Sequence, residues 1–144
     1  MKKKILVTRK LLIENEEKLK ELFDVKLNSK DELYTSDKII ELSKDCDGIL
    51  SAITDQFNKD LIEKLSTTVK IIANFAVGFG NIDVNTAAKK NIVVTNTPEV
   101  LDDSTADISI LLLLGASRKV LEARRAAELQ NWKWSADFML GKQM

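Results

Sequence analysis

One rhythm limits what this chain can become. Short runs rich in β-branched or aliphatic residues begin at Ile5 (ILV), Val25 (VKL), Ile49 (ILSAI), Ile71 (IIANF) and Ile92 (IVVT), so 20, 24, 22 and 21 residues separate successive starts. Each interval leaves room for a helix and a return, and the gaps carry helical spacing. Leu12, Glu16, Leu19, Leu22 and Phe23 share one face. Ile39, Ile40 and Leu42 follow Ser36 as an N-cap; Leu61, Ile62 and Leu65 make a third helix, and Val84, Ala87 and Ala88 follow Asp83 as a cap. Strands alternating with helices at this interval predict a parallel sheet with helices on both faces. Right-handed crossovers then favour a flavodoxin-like doubly wound α/β sheet of about five strands.

The rhythm stops at Asn96-Thr97-Pro98, which holds the single proline. Proline biases Thr97 towards an extended backbone and ends the fifth strand. Beyond it, Asp103 or Ser104 can cap a helix with Asp107 in its first turns, and no further proline intervenes before Gln130. About 26 helical residues would make a rod about 40 Å long. Its first half, Ile108 to Ala116, is apolar nearly all round, while Arg118, Lys119, Glu122, Arg124, Arg125 and Glu128 make the second half polar. A helix without a polar face has to be covered on several sides, so the first half is expected between two domains or two subunits. Residues 1–100 and 101–144 thus read as two parts: a doubly wound domain, then a crossing helix with its arm.

Composition removes several functions. Lysine plus arginine and aspartate plus glutamate both number 22, which gives neither nucleic acid nor an anionic membrane a basic surface. There is no histidine and one cysteine, Cys46. No histidine base, serine triad or His/Cys metal cluster can be built, and no metal is expected. Cys46 reads as a small buried hydrophobe before a strand. Met1-Lys2-Lys3-Lys4 resembles the start of a secretory leader, but only Ile5, Leu6 and Val7 follow, short of the roughly 7 apolar residues required. A cytoplasmic location is expected.

Chemistry concentrates in Ala76-Val77-Gly78-Phe79-Gly80-Asn81-Ile82-Asp83, at the carboxyl end of the fourth strand, where open α/β sheets place their ligands. A dinucleotide turn would need a third glycine where Asp83 stands, and would follow the first strand of its own unit. Two readings remain open. The glycines let the backbone turn its N–H groups towards a small anion, or they make a tight turn that Asp83 caps.

This loop, together with Ala87-Ala88-Lys89-Lys90-Asn91-Ile92-Val93-Val94-Thr95-Asn96-Thr97-Pro98, Ser104-Thr105-Ala106-Asp107, the leucine run and Arg118, resembles the D-2-hydroxyacid dehydrogenases, nearest their glyoxylate and hydroxypyruvate reductase branch. The likeness covers the whole chain in element order and is specific from about Ile71 to Arg125. It implies a two-domain, NAD- or NADP-dependent enzyme that reduces a 2-keto acid to a D-2-hydroxy acid. It implies that Val77 and Gly78 offer backbone N–H groups to the substrate carboxylate, and that Thr105 lies beside the nicotinamide end of the cofactor. It also implies a homodimer through the 104–130 helix, with Trp132 and Trp134 in an arm that embraces the partner. Asp107 departs mildly, since many relatives carry glutamate there.

The family's dinucleotide loop, substrate arginine and glutamate–histidine pair have no counterpart in these residues. The chain is therefore expected to be the N-terminal portion of such an enzyme, inactive alone and not binding the cofactor by itself. Arg118, Arg124 and Arg125 are expected on a solvated or interface face, and Asp55, Asp102 and Asp103 in surface caps and loops. A non-catalytic flavodoxin-like binding or dimerisation module is the alternative. A response-regulator receiver is disfavoured, because Thr8-Arg9 and Ser51-Ala52 stand where its acidic residues belong.

Overall fold

The computed structural model describes residues 2–130 and 133–142. The five apolar runs are strands β1 (Lys4–Val7), β2 (Asp24–Lys26), β3 (Gly48–Ala52), β4 (Ile71–Phe75) and β5 (Val93–Thr95). They form one sheet in the order β2-β1-β3-β4-β5 with every pair parallel, the expected doubly wound arrangement. Helices α1 (Ile13–Leu22), α2 (Ser36–Ser43), α3 (Lys59–Lys64) and α4 (Val84–Lys89) fill the crossovers. The chain divides into two compact units, Met1–Glu99 and Val100–Met144.

Register sorts the first unit's core. Leu6 lies opposite Ile49, Ile49 opposite Ile72, and Ile72 opposite Val94, so these four share one face of the pleat. Ile39 of α2, Leu61 and Ile62 of α3 and Ala87 of α4 bury that face in a single cluster. The other face carries α1 alone among the described elements of this unit. None of α1's residues is buried, and Phe75 and Val93 are more than half exposed. Two grooves of about 370 and 520 Å³ run beside Leu19 of α1, reaching Ala73 and Phe75 in the first and Ile71 in the second.

Helix starts differ slightly from expectation. Thr35 rather than Ser36 caps α2, its hydroxyl accepting from Lys38 N–H at 3.3 Å. Asn58 caps α3 by accepting from Leu61 N–H at 3.0 Å, and Asp83 caps α4 as expected, accepting from Thr86 N–H at 2.9 Å. Each satisfies a backbone donor that the first helical turn leaves unpaired. Cys46 is fully buried, and that burial pushes its thiol above the ordinary range.

The expected single rod is two helices. α5 (Asp102–Ser117) and α6 (Val120–Leu129) are separated by Arg118 and Lys119, with Lys119 in the left-handed region at φ 52°. The reason lies partly beyond the helix. In a continuous helix the Ser117 carbonyl would accept from Leu121, but here it accepts from Lys142 N–H at 2.9 Å. A Cβ on Gly141 would stand 2.5 Å from that oxygen, so only glycine allows the approach. Locally, Ser117 Oγ donates to the Leu114 carbonyl at 2.9 Å, and Gly115 weakens the last turns. Neither Asp103 nor Ser104 caps α5; Leu101 occupies that position without a side-chain bond, and Asp102 and Asp103 sit in the first turn facing the helix dipole. Among the described residues no helix is long and apolar enough to cross a membrane.

Past β1, Arg9 grips Asp31 with two nitrogens at 2.8 and 3.0 Å, and Lys10 N–H adds a third bond at 3.0 Å. The Arg9 bond, then the Lys10 bond, hold the Asp31 carboxyl down to about 2. An unfolded aspartate titrates near about 3.9. The pair's contribution is therefore complete above that value and lost as pH falls through the folded one. Urea titrations of wild type and Asp31→Asn should show the wild type losing an increment of stability between about pH 4 and 2 that the variant lacks. The increment should be small, because the pair faces solvent.

Candidate functional site

The loop from Ala76 to Asp83 is held at both ends. At its far end Phe57, fully buried, donates its N–H to the Asn81 carbonyl at 2.8 Å and accepts from Asp83 N–H at 2.9 Å. At its near end, Ala76 N–H is taken by the Asn74 carbonyl at 2.8 Å. Beneath it lies a buried amide network. Asn74 Nδ2 donates to the Asn81 side chain and to the Gly78 carbonyl, both at 3.0 Å, while Asn74 Oδ1 accepts from Ser51 Oγ at 3.0 Å. Asn81 Nδ2 reaches the Asp55 carbonyl at 2.9 Å and the Ala52 carbonyl at 3.2 Å, joining the ends of β3 and β4.

Val77 and Gly78 stand together at the rim of the sheet, exposed above this network. Among the described residues no acceptor takes the N–H of Val77, Gly78 or Phe79. Their carbonyl neighbours are all engaged. Ala76 O accepts from Thr97 N–H at 2.9 Å, Val77 O from Asn96 Nδ2 at 2.7 Å, and Gly78 O from Asn74. Exposed amide donors on an anchored loop can receive a small anion, with partners fixed beforehand.

The glycines serve this differently from expectation. Neither Gly78 nor Gly80 has a positive φ, so the turn itself does not require them. A Cβ at either would meet nothing within 4 Å, so the surrounding packing does not require glycine there either. The Asp83 cap is present as well, and the two readings of the loop do not compete, because the cap uses only a carboxylate at its far end.

Among the described residues, neither the loop after β4 nor the turn after β1 forms a dinucleotide cradle. Asp83 occupies the third glycine position, and the turn after β1 contains Thr8, Arg9 and Lys10, whose free amide and guanidinium already hold the Asp31 carboxylate. Thr105 stands in α5, in the other unit, its N–H bonded to the Leu101 carbonyl at 2.9 Å and its own carbonyl accepting from Ser109 Oγ at 2.7 Å. Among the described residues no group of acidic, cysteine or histidine side chains could hold a metal.

Other expected positions resolve simply. Arg118 ends α5; Arg124 pairs with Glu128 at 2.7 Å on an exposed helix face. Trp134 is 83% exposed and anchored by nothing described, while Trp132 lies outside the described residues. Asp55 corrects the expectation of a surface loop. It is 2% exposed; its Oδ2 accepts from Thr8 Oγ1 and from Ala52 N–H at 2.9 Å, and its Oδ1 has no partner among the described residues. Asn74, Asn81 and Asn96 were not singled out from the sequence. Asparagine at both ends of a glycine-bearing turn, with another before Thr-Pro, was the available signal.

Comparison with known proteins comes down on one family. The description "D-isomer specific 2-hydroxyacid dehydrogenase, catalytic domain" matches residues 5–136. A glyoxylate reductase of Korarchaeum cryptofilum is 42% identical over 144 residues, 98% of this chain and 43% of that protein. A solved Polaromonas chain named for an NAD-binding D-isomer specific 2-hydroxyacid dehydrogenase superposes with a TM-score of 0.83 at 30% identity, covering 98% of this chain and 44% of its own length. The NADPH-dependent glyoxylate/hydroxypyruvate reductase of Sinorhizobium meliloti, solved with NADP and malonate, gives 0.74 at 31% identity, covering 92% and 40%. The chain thus spans under half the length of these relatives.

Replacing Asp55 by alanine should take the carboxylate acceptor from the Ala52 N–H and leave the Thr8 hydroxyl with the Leu50 carbonyl alone, at 3.2 Å. A loss of about 1–3 kcal/mol in urea unfolding is expected. The change should leave the far-ultraviolet dichroism of the folded protein as it was.

Proposed function

The chain belongs to the D-isomer specific 2-hydroxyacid dehydrogenases, and from that premise we propose that it supplies the substrate-carboxylate half of an NAD- or NADP-dependent reductase of small 2-keto acids, of the glyoxylate or hydroxypyruvate type. One observation carries the reading: the unpaired N–H groups of Val77 and Gly78, presented at the carboxyl end of β4 on a loop fixed from both sides. A 2-keto acid offers a carboxylate beside an electrophilic carbonyl. Binding the carboxylate through two backbone donors orients the carbonyl without placing a charged side chain against it.

A nicotinamide cofactor supplies the hydride in this class of reaction. The described residues form no pyrophosphate cradle; Thr105 is the residue that would lie beside the cofactor's nicotinamide end. These 144 residues contain no histidine to give or take the proton. They are therefore proposed to bind the acid and, alone, not to turn it over. Calorimetric titration with oxalate, a carboxylate mimic of the substrate, should register binding, whereas NADH and glyoxylate mixed with the 144-residue protein should show no loss of NADH absorbance. Oxidation of NADH by the purified chain would refute the division of labour.

The same premise covers α5. Ile108, Ile110 and Leu111 to Leu114 are each about half exposed or more, an apolar surface that water does not favour. A second copy is the proposed cover, as a homodimer through residues 104–130. Sedimentation at micromolar concentration should give a dimer, and Leu112→Glu should shift it towards monomer. A monomeric wild type would count against the assembly.

A further inference from the structure

Asn96-Thr97-Pro98 ends the strand rhythm and also holds two carbonyls of the loop after β4. Every peptide bond described is trans, and a planar trans peptide points its N–H opposite to its C=O. Whatever holds the carbonyl of one residue therefore aims the N–H of the next. Thr97 N–H holds the Ala76 carbonyl and so aims Val77 N–H; Asn96 Nδ2 holds the Val77 carbonyl and so aims Gly78 N–H. Asn74 does the same one peptide later, through the Gly78 carbonyl, towards Phe79 N–H. Pro98 biases Thr97 towards an extended backbone, and Thr97 N–H bonds the Ala76 carbonyl just beyond the paired ends of β4 and β5.

We propose that Asn96 is a positioning residue for carboxylate capture: its side-chain amide fixes the Val77–Gly78 peptide plane and thereby the direction of the Gly78 N–H. The inference rests on the reading of the loop as the carboxylate site. Without Asn96 the plane has no other described partner on its carbonyl, since Val77 is exposed and Gly78 has no side chain to brace it. The plane can then rotate and satisfy its carbonyl with water. The ligand would have to restore the orientation itself, at a cost in affinity. Asn96 is only partly buried and lies outside the sheet, so its removal need not disturb the core. Asn74, by contrast, is 2% exposed and also serves Ser51 and Asn81, which makes it the poorer probe.

The test is an oxalate titration of the uniformly nitrogen-15-labelled 144-residue chain, followed by amide resonances, for wild type, Asn96→Ala and Asn96→Gln. In the wild type the Val77 and Gly78 amides should move together on binding. Asn96→Ala should bind oxalate about fivefold more weakly, the worth of one orienting hydrogen bond. Its Gly78 amide should start from a different position and move less, while Val77, aimed by Thr97, should respond nearly as before. Asn96→Gln, which keeps the amide donor on a longer stem, should recover most of the affinity. Wild-type amides at Val77 and Gly78 that ignore oxalate would sink the carboxylate site itself and this inference with it. Wild-type amides that respond while Asn96→Ala binds equally well would overturn the inference alone. Loss of dispersion throughout the sheet in Asn96→Ala would also overturn it, by making Asn96 a residue of the fold.

Discussion

Two backbone hydrogen bonds at Phe57 hold the candidate site to the rest of the first unit. A loop at the end of a parallel strand has no ladder to join, and its amides must be satisfied elsewhere or left to water. Phe57 anchors its ring in the core and uses its N–H and C=O on Asn81 and Asp83. The turn is thereby tied to the packing of Leu61, Ile72 and Ile82 rather than to its own short helix. With the far end immobile, the amide network of Asn74 and Asn81 can define the near end. The rim amides stay free while everything around them is committed.

The position of that rim follows from what fills the alternative. In a sheet of this order the strand sequence reverses at β1 and β3, where ligands of open α/β sheets commonly sit. Here that crevice is occupied by the protein's own polar groups. Thr8 and Asp55 bond across it, Asn28 takes the Thr8 carbonyl at 2.7 Å, and Arg9 closes over Asp31. With those donors spent internally, the exposed N–H groups lie one strand further along, after β4 and beside the segment that leaves β5.

All five strands could be read from the sequence, because β-branched runs at a regular interval have one economical solution. The first, second and fourth helices between them were legible to within a residue or so at their starts, whereas the third was placed only by Leu61, Ile62 and Leu65, without its Asn58 cap. Thr35 caps where Ser36 was expected, a difference that neighbouring hydroxyls cannot settle without backbone angles. The break after Ser117 was not legible, since it depends on Lys142 and Gly141, more than twenty residues away in sequence. Asp55 was misread for a similar reason. An aspartate in a polar stretch is usually solvated, and only the approach of Thr8 from another strand buries it. The glycines mark the loop after β4 in the sequence, but neither has a positive φ and a Cβ at either meets no neighbour, so the conformational reason for them does not hold. The asparagines flank the glycine-bearing turn in the sequence, but which carbonyls their amides hold depends on backbone approaches that the sequence does not state.

The two outer strands, β2 and β5, are three residues each. An edge so short presents too few unpaired amides to template a strand from another molecule, which is the route by which sheets stack into fibres. The half-covered face beside α1 can therefore remain apolar without inviting sheet extension. Anything that settles there has to arrive broadside, matching side chain to side chain, and its fit is decided by shape rather than by the indiscriminate grammar of the backbone.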